Sequence, residues 1–322
     1  MSNSQLAILN QYIQLSNQNG LSHIYRTART IGLFEVLSRG SGTLESLAAE
    51  CHCSERPMQL LLNALCEMGV IQKFADDYIL AQVMKLLTTV DEDLGDQTWQ
   101  LLETCLRPSQ SPDPNPELTA YRARCNAMQW IDTPAAMELV QLLEIGTKRQ
   151  NLQILDLGAG TAVWSLAMAH HDPGSQVTAV DWPAPLKTAQ QAATAIGAAA
   201  RFTELAGDYR EVPLPEKHFD LVILANELML YDDPQSLQLL QRAAQAIKPA
   251  GEIVILETIC CQPDASLAFA LRELDLAIHW PAGRFRTPEE LEALSKAAGL
   301  NTLQYQGLRA PPQLTGLLMA GH

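Results

Sequence analysis

Glycine and aspartate residues that suit the binding of a ribose-containing ligand follow two successive apolar runs. Residues 155–160 read LDLGAG, where Gly158 and Gly160 allow close approach of the backbone to a ligand and a positive φ without a Cβ clash. Val163 stands where a dinucleotide fingerprint has its third glycine, which disfavours NAD. Asp181 ends the second run, at the place where a carboxylate accepts hydrogen bonds from ribose hydroxyls.

A third motif, Gly207-Asp208-Tyr209, follows the next apolar run. Asp208 is suited to receive an adenine amino group, and Tyr209 or Trp182 is suited to stack on the ring. Each acid taken singly is more readily explained as a helix cap or a surface carboxylate. The three motifs in order are far more specific, because open α/β sheets bind ligands at the carboxyl ends of their strands.

The elements that must position these motifs alternate between β-rich runs and helical stretches. Five such runs lie at 152–157, 176–180, 202–206, 221–224 and 251–256. Alternation of this kind predicts a parallel sheet covered by helices on both faces, an α/β fold of Rossmann-like type. Two final runs, 300–308 and 314–320, are joined by a short turn containing Pro311-Pro312, and we expect them to pair antiparallel.

The N-terminal third has a different pattern. Apolar residues recur at helical spacing from Leu6 to about Ser38, which predicts a pair of amphipathic helices. Thr43 is placed to cap the next helix, and two short helices and a hairpin follow at 44–49, 55–68 and 70–80. This order of elements predicts a mainly helical, winged-helix-type domain.

A stretch with four prolines and no periodicity, residues 107–116, marks an exposed connection between domains. The predicted domains are 1–106 for the helical domain, 107–150 for the linker and connecting helices, and 151–322 for the ligand-binding domain.

Charge and composition exclude several classes of partner. The net charge of −14 opposes binding to nucleic acid, which depends on clustered Lys and Arg. No apolar run approaches the ~18 residues of a membrane span, and no leader pattern is present, so we expect a cytoplasmic protein without a membrane partner. The seven cysteines lack paired C-x-x-C spacing, which favours reduced thiols and no metal site.

On these residues the sequence resembles the class I S-adenosylmethionine (SAM)-dependent methyltransferases, and among them the small-molecule O-methyltransferases with an N-terminal dimerisation domain. The resemblance covers nearly the whole chain. Further segments that carry it are 31–34, 181–183, 219–222, 249–251, 283–287 and 298–300.

The resemblance implies SAM as cofactor, with the Gly158 loop at its amino-acid end, Asp181 at the ribose, and Asp208 with Tyr209 at the adenine. The residues expected to bind it are Asp156, Gly158, Gly160, Asp181, Trp182, Gly207, Asp208, Tyr209 and Asn226. It also implies a homodimer formed through the N-terminal domain and a small-molecule acceptor. The residues expected near that acceptor are Met128, Met229, Trp280 and Phe285.

The acceptor side departs from the family's pattern. The family commonly removes the acceptor's proton with a histidine, whose position falls on Met229, or on Leu230 if the register slips by one. The acidic partner of that histidine falls on Phe285. Neither replacement can accept a proton.

Three explanations remain for this departure. The acceptor needs no strong base, as for a thiol, a thioether, an activated carbon or an acidic phenol. Alternatively another residue is the base, the candidates being His279, Glu227 and Tyr231, although Glu227 is also placed to contact the ammonium group of SAM. Or the chain binds SAM without transferring a methyl group. The expected function is O-methylation of a small molecule, with S- or C-methylation, or a non-catalytic SAM-binding regulator, as alternatives.

Overall fold

The computed structural model describes residues 3–84, 94–107, 126, 129–258, 267–309 and 315–322. Met128, the Pro311-Pro312 turn and all of the proline-rich stretch except Arg107 lie outside these residues. The chain divides into two compact units, Met1–Leu94 and Gly95–His322. None of the described helices combines the length and the apolar character that a membrane crossing requires.

The first unit contains the predicted helices and hairpin. Its elements are α1 (Asn3–Thr30), α2 (Leu33–Ser38), β1 (Gly42–Thr43), α3 (Leu44–Glu50), α4 (Glu55–Glu67), β2 (Ile71–Phe74) and β3 (Asp77–Leu80). The predicted helix pair divides at Gly32, whose φ of +74° ends the first helix. The Thr43 hydroxyl accepts a hydrogen bond from the Ser46 amide at 3.3 Å and so starts α3, as predicted. The strands form an antiparallel sheet in the order β1-β3-β2.

The second unit is the α/β domain. Its helices are α5 (Asp96–Cys105), α6 (Thr133–Leu142), α7 (Val163–His171), α8 (Pro183–Ala195), α9 (Asp233–Ala246), α10 (Leu267–His279) and α11 (Pro288–Ala297). Its strands are β4 (Gln153–Leu157), β5 (Gln176–Asp181), β6 (Phe202–Ala206), β7 (Phe219–Ala225), β8 (Ile247–Thr258), β9 (Thr302–Gly307) and β10 (Thr315–Gly321). Helix α5 packs on α10 and belongs to this unit, although the sequence pattern placed residues 96–105 in the front domain.

Within the described residues the second unit has one seven-stranded sheet in the order β6-β5-β4-β7-β8-β10-β9. The neighbouring pairs among strands β4 to β8 are parallel, whereas β10 runs antiparallel to both β8 and β9. The predicted parallel sheet and its C-terminal antiparallel hairpin are therefore confirmed.

Both faces of the sheet are buried, because alternate residues of the central strands enter different apolar clusters. In β7, Val222 and Leu224 belong to the cluster beneath α9, while Leu221 and Ile223 belong to the cluster beneath α7 and α8. All four are fully buried. Successive side chains of a strand point to opposite faces, so a strand covered on both sides must be apolar throughout.

A buried arginine fixes the short turn Leu228–Leu230 that follows β7. The Arg286 guanidinium donates to the carbonyl of Leu228 at 2.6 Å and to the carbonyl of Tyr231 at 2.7 Å. It also pairs with the Asp233 carboxylate at 2.9 Å, at the start of α9. The turn is thereby joined to the segment before α11.

We predict that Arg286→Met lowers the free energy of unfolding by about 3 kcal/mol, because two buried carbonyls lose their charged donor. The measurement is urea denaturation. Arg284→Met is the matched control, since the Arg284 side chain is 41% exposed and forms surface pairs with Asp233 and Glu290; we expect a loss below about 1 kcal/mol. Equal losses for the two variants would contradict the role given to Arg286.

Candidate functional site

The predicted ligand-binding motifs meet at one edge of the seven-stranded sheet. The parallel registers of β4, β5, β6 and β7 place the carboxyl ends of these strands level with one another. The glycine loop (residues 158–160), Asp181 and Gly207-Asp208-Tyr209 therefore lie side by side. On the other side of β4, the end of β7 brings Asn226 and Glu227 to the same edge.

The glycine loop depends on the absence of side chains at two positions. Gly158 has a φ of +73° and Gly160 a φ of +57°, a region that residues with a Cβ rarely adopt. A Cβ on Gly158 would collide with the Glu227 side chain. A Cβ on Gly160 would lie 2.6 Å from side-chain oxygens of Asn126 and Gln129. Both glycines are thus required by the side chains that lie against them, two of which, Asn126 and Gln129, the sequence pattern did not identify.

Asp181 holds the glycine loop against β5. One oxygen of its carboxylate accepts the Gly160 amide at 2.8 Å, and the other accepts the Trp182 amide at 2.6 Å. The residue is 1% exposed, yet it lines the cavity at the sheet edge. Both carboxylate oxygens are therefore satisfied by backbone donors at a position that faces the cavity.

Gln129 is a residue of the site that sequence reasoning missed. Its Oε1 accepts hydrogen bonds from the amide of Thr161 at 2.6 Å and from the Thr161 hydroxyl at 2.7 Å. Its Nε2 donates to the carbonyl of Ala159 at 3.2 Å. The side chain is therefore folded onto the glycine loop. No local pattern points to it, because it belongs to a segment distant in sequence.

Three buried polar side chains form a hydrogen-bonded chain beside the loop. The Tyr209 hydroxyl donates to Oε2 of Glu227, and it lies 2.5 Å from the Tyr231 hydroxyl. All three residues are less than 7% exposed, and both tyrosines line the cavity. The structure therefore brings two of the three predicted base candidates together, with Tyr209 between them.

Asp208 lies next to this chain and is paired with Arg210. The Asp208 carboxylate accepts from the Arg210 amide at 2.9 Å and from its guanidinium at 2.5 Å. Hydrogen bonding to Asp208 raises the pKa of Arg210, which keeps the guanidinium charged. The guanidinium lies 5.4 Å from the ring centroid of Tyr231. Trp182, the other predicted stacking residue, is 44% exposed and lines the cavity.

Five of the nine predicted cofactor residues do not line the cavity: the glycines at 158, 160 and 207, and Asp156 and Asn226. Asp156 is buried beneath the loop, where its carboxyl accepts a hydrogen bond from the Ser165 hydroxyl at 2.5 Å. Burial raises the pKa of Asp156 to about 7, and the nearby charge of Asp181 contributes in the same direction. Asn226 has a φ of +58°, and its amide donates to the carbonyl of Leu256 at 2.7 Å. Both residues shape the edge from behind.

The third base candidate, His279, lies at the end of α10 and is 9% exposed. Its Nε2 lies 3.1 Å from the Thr98 hydroxyl, and the residue is not among those lining the cavity. Met229 and Phe285 belong to a buried apolar cluster. Trp280 lines the cavity, with its ring edge-on to Tyr231 at a centroid distance of 6.0 Å.

Glu257, near the end of β8, was also missed by sequence reasoning. Its carboxyl accepts from the amide of Leu228 at 2.8 Å and from the amide of Met229 at 3.2 Å. Burial raises the pKa of Glu257 to about 8, with a smaller contribution from the charge of Glu227. An acid directly after the apolar run at 253–256 was the only signal in the sequence.

A cavity of about 1030 Å³ opens at this edge of the sheet. Its polar lining includes Asp181, Asp208 and Tyr231, and much of the remaining lining is apolar. The apolar and aromatic residues include Trp130, Met137, Val163, Leu166, Ala184, Ile196 and Trp280. Such a combination, a few convergent polar groups in an apolar wall, is typical of small-molecule sites.

Comparison with known proteins identifies a family model and several relatives that are named for O-methyl transfer. The family model described as "O-methyltransferase domain" matches residues 117–301. The mouse acetylserotonin O-methyltransferase is 32% identical over 166 residues, which cover 49% of this chain and 41% of that protein. Demethylspheroidene O-methyltransferase of Cereibacter sphaeroides is 29% identical over 202 residues, covering 61% of this chain and 50% of that protein.

These matched segments span about half or less of the curated relatives' own lengths. One further relative is named for a different reaction, the aclacinomycin 10-hydroxylase RdmB of Streptomyces purpurascens. It is 30% identical over 148 residues, which cover 46% of this chain and 39% of that protein.

Solved structures agree with the fold over the whole chain. Human N-acetylserotonin methyltransferase in complex with SAM is 19% identical, with a TM-score of 0.73 and 100% of both chains covered. The mitomycin 7-O-methyltransferase MmcR is 18% identical, with a TM-score of 0.77 and 99% of both chains covered. At these identities the likeness shows the fold alone.

The raised pKa of Asp156 predicts a pH-dependent stability. Its folded pKa, about 7, exceeds the ordinary value of 3.8, so folding favours the protonated form. This contribution to stability is fully present below the ordinary pKa and is lost as the pH rises through about 7. We expect the free energy of unfolding, relative to Asp156→Asn, to fall by roughly 2–4 kcal/mol between pH 4 and pH 8. Urea denaturation across this range measures the difference in free energy of unfolding between the two proteins. A difference that stays constant with pH would contradict the prediction. Glu216→Gln, at an exposed acid, is the control.

Proposed function

The chain belongs to the family defined by the O-methyltransferase domain, and from this membership we propose that it transfers a methyl group from SAM to a hydroxyl of a small molecule. The observation that carries the proposal is the level arrangement of the glycine loop, Asp181 and Asp208 at the carboxyl ends of parallel strands, within the segment that the family model matches.

The residues at the sheet edge fit SAM chemically. The Asp181 carboxylate suits ribose hydroxyls, and Asp208 suits an adenine amino group, since both groups need acceptors. The exposed indole of Trp182 offers an apolar face beside them. The backbone of the glycine loop lies open to a close approach because Gly158 and Gly160 lack a Cβ. Glu227, buried against Gly158, is placed to face a positively charged group.

When bound, SAM supplies a methyl group whose bond to a positively charged sulfur breaks as the acceptor's oxygen bonds to it. The chain's own residues bind, align and desolvate the reactants. Water is excluded by the apolar wall, which includes Trp130 and Leu166. Alignment of two reactants in such a site contributes a large share of the rate enhancement of a displacement reaction.

We propose an apolar acceptor that carries a hydroxyl group. The cavity wall is mostly apolar, and a hydroxyl that approaches Tyr231 and Trp280 meets a polar group beside an aromatic face. The related proteins are named for acetylserotonin, demethylspheroidene and 3-hydroxy-5-methyl-1-naphthoate. Met128, which was expected near the acceptor, lies outside the described residues, and Met229 and Phe285 support the wall from the apolar cluster.

Tyr231 is the base candidate that this cavity favours. It lines the cavity, whereas Glu227 is reached through Tyr209 and His279 is hydrogen-bonded to Thr98. Because RdmB, a relative, is named as a hydroxylase, the product must be identified by mass. Methyl transfer adds one CH2 to the acceptor, whereas hydroxylation adds one oxygen.

We also propose that the protein is a homodimer formed through its first unit, acting in the cytoplasm. Helix α1 exposes several large apolar side chains: Leu6, Ile8, Leu9, Tyr12, Ile13, Leu15 and Leu21. Residues 3–25 contain no Asp, Glu, Lys or Arg, so two copies of this helical segment can approach without repulsion despite the acidic chain. A second copy of the helix is the occupant that suits such a surface.

We predict that Asp181→Ala weakens SAM binding by about 100-fold or more, because a buried, ligand-facing carboxylate is lost. Isothermal titration calorimetry with SAM measures it. Glu216→Ala, at an exposed acid outside the cavity, should bind like the wild type. Unchanged affinity of Asp181→Ala would rule out this cofactor assignment.

We predict that the double variant Leu9→Asp, Ile13→Asp is monomeric, since four charges would meet at the proposed interface. Light scattering after size-exclusion chromatography gives the mass. The control variant, Gln11→Glu with Gln18→Glu, adds the same charge to the opposite face of α1 and should remain a dimer. A wild-type chain that is monomeric at micromolar concentration would contradict the proposal.

A further inference from the structure

The hydrogen-bonded chain of Tyr231, Tyr209 and Glu227 has a direction. The Tyr209 hydroxyl has a single hydrogen, which it donates to the Glu227 carboxylate. In the 2.5 Å contact between the two hydroxyls, Tyr209 is therefore the acceptor and Tyr231 the donor. Every hydrogen in the chain thus points from the cavity toward the carboxylate.

The carboxylate lies at the inner end of this chain. Glu227 is 6% exposed and Tyr209 is 1% exposed, so bulk water does not readily replace either contact. Tyr231 is the outer member, lining the cavity between the Arg210 guanidinium and the Trp280 ring. Arg210 places a positive charge beside the Tyr231 ring, which stabilises negative charge that develops on the Tyr231 oxygen during proton transfer.

The other ionisable groups of the described cavity lining have different placements. Asp181 accepts the amides of Gly160 and Trp182, and Asp208 is bound by Arg210. His170 is in the last turn of α7, a helix that begins at the ligand-binding edge and runs away from it. The hydroxyl of Tyr231 is therefore the group best placed to receive a proton near the acceptor.

We propose that Tyr209 is a proton relay, so that the acceptor's proton is taken up by Glu227 through the two tyrosines. This inference rests on the proposed function. The acceptor hydroxyl gives its proton to the oxygen of Tyr231 as the Tyr231 proton moves to Tyr209. The Tyr209 proton moves to the Glu227 carboxylate. The acceptor oxygen keeps the electron pair with which it bonds to the methyl group, and Glu227 finishes protonated and later releases the proton to water.

The relay accounts for the apolar residues found where related enzymes are expected to have a catalytic pair. Met229 and Phe285 belong to the apolar cluster and have no proton to exchange. The final proton acceptor is instead the carboxylate of Glu227, two residues beyond the end of β7, which Tyr231 reaches through the hydroxyl of Tyr209. Tyr209, expected from the sequence to stack on adenine, thereby serves the acceptor.

The first test measures coupling in the protein without ligands. Ultraviolet difference titration follows tyrosine ionisation in the wild type, Glu227→Gln, Tyr209→Phe and Tyr231→Phe. The midpoints that disappear in Tyr209→Phe and Tyr231→Phe identify the two tyrosines. In Glu227→Gln, the loss of the carboxylate charge should lower these midpoints by about one pH unit. Tyr305→Phe, on β9, is the control for loss of an unrelated tyrosine. Circular dichroism at each pH confirms that the chain is folded, and an unmoved midpoint would overturn the relay.

The second test uses SAM with four acceptor probes: 1-naphthol, phenol, 4-nitrophenol and thiophenol. For Tyr209→Phe we expect turnover of the weakly acidic naphthol and phenol to fall by about 10²- to 10⁴-fold, the usual contribution of proton transfer. Probes that are already ionised at the assay pH should react at close to the wild-type rate. A merely structural role would lower all four rates together, and that outcome would overturn the relay.

The outcomes separate this inference from the proposed function. Calorimetry should show that Tyr209→Phe, which keeps the aromatic ring, still binds SAM. A wild type that binds no SAM, or methylates none of the probes, contradicts the proposed function. A wild type that methylates naphthol, with Tyr209→Phe equally active, contradicts only the relay.

Discussion

The Asp181 carboxylate joins the glycine loop to the end of the neighbouring strand, and the geometry of the site depends on that link. Each of its oxygens accepts a backbone amide, one from Gly160 and one from Trp182. Buried amides need acceptors and a buried carboxylate needs donors, so the two satisfy each other. The loop is then fixed with positive φ at both glycines, and Gly158 leaves the space that the Glu227 side chain occupies.

This arrangement concentrates acids beneath a small area of the sheet edge. Burial raises the pKa of Asp156 to about 7 and that of Glu257 to about 8, and each carboxyl has an acidic neighbour that adds to the effect. The protonated forms of these two carboxyls add to the free energy of unfolding at low pH, and this contribution is lost as the pH rises through about 7 to 8. Their hydrogen bonds, however, fix Ser165 on α7 and the turn at Leu228, the elements that border the cavity.

The conformation of the turn after β7 does not follow from the local sequence. Counting along the chain placed apolar residues, Met229 and Phe285, at the expected catalytic positions. The structure holds the turn between Arg286 and Glu257, so that Met229 enters the apolar cluster while Tyr231 lines the cavity. Which side chain of a short turn faces a ligand depends on these distant contacts and not on local spacing.

The sequence by itself determined the order of the strands along the chain, the closing hairpin and the level placement of the glycine loop, Asp181 and Asp208. These follow from periodicity and from the fact that parallel strands end at a common edge. Only the tertiary structure decided that Gln129 folds onto the loop, that Asp156 lies behind it, and that Tyr209 faces Glu227 and not open solvent. Such contacts join segments far apart in sequence, and their geometry is set by the packing of whole helices and strands, which no local pattern encodes.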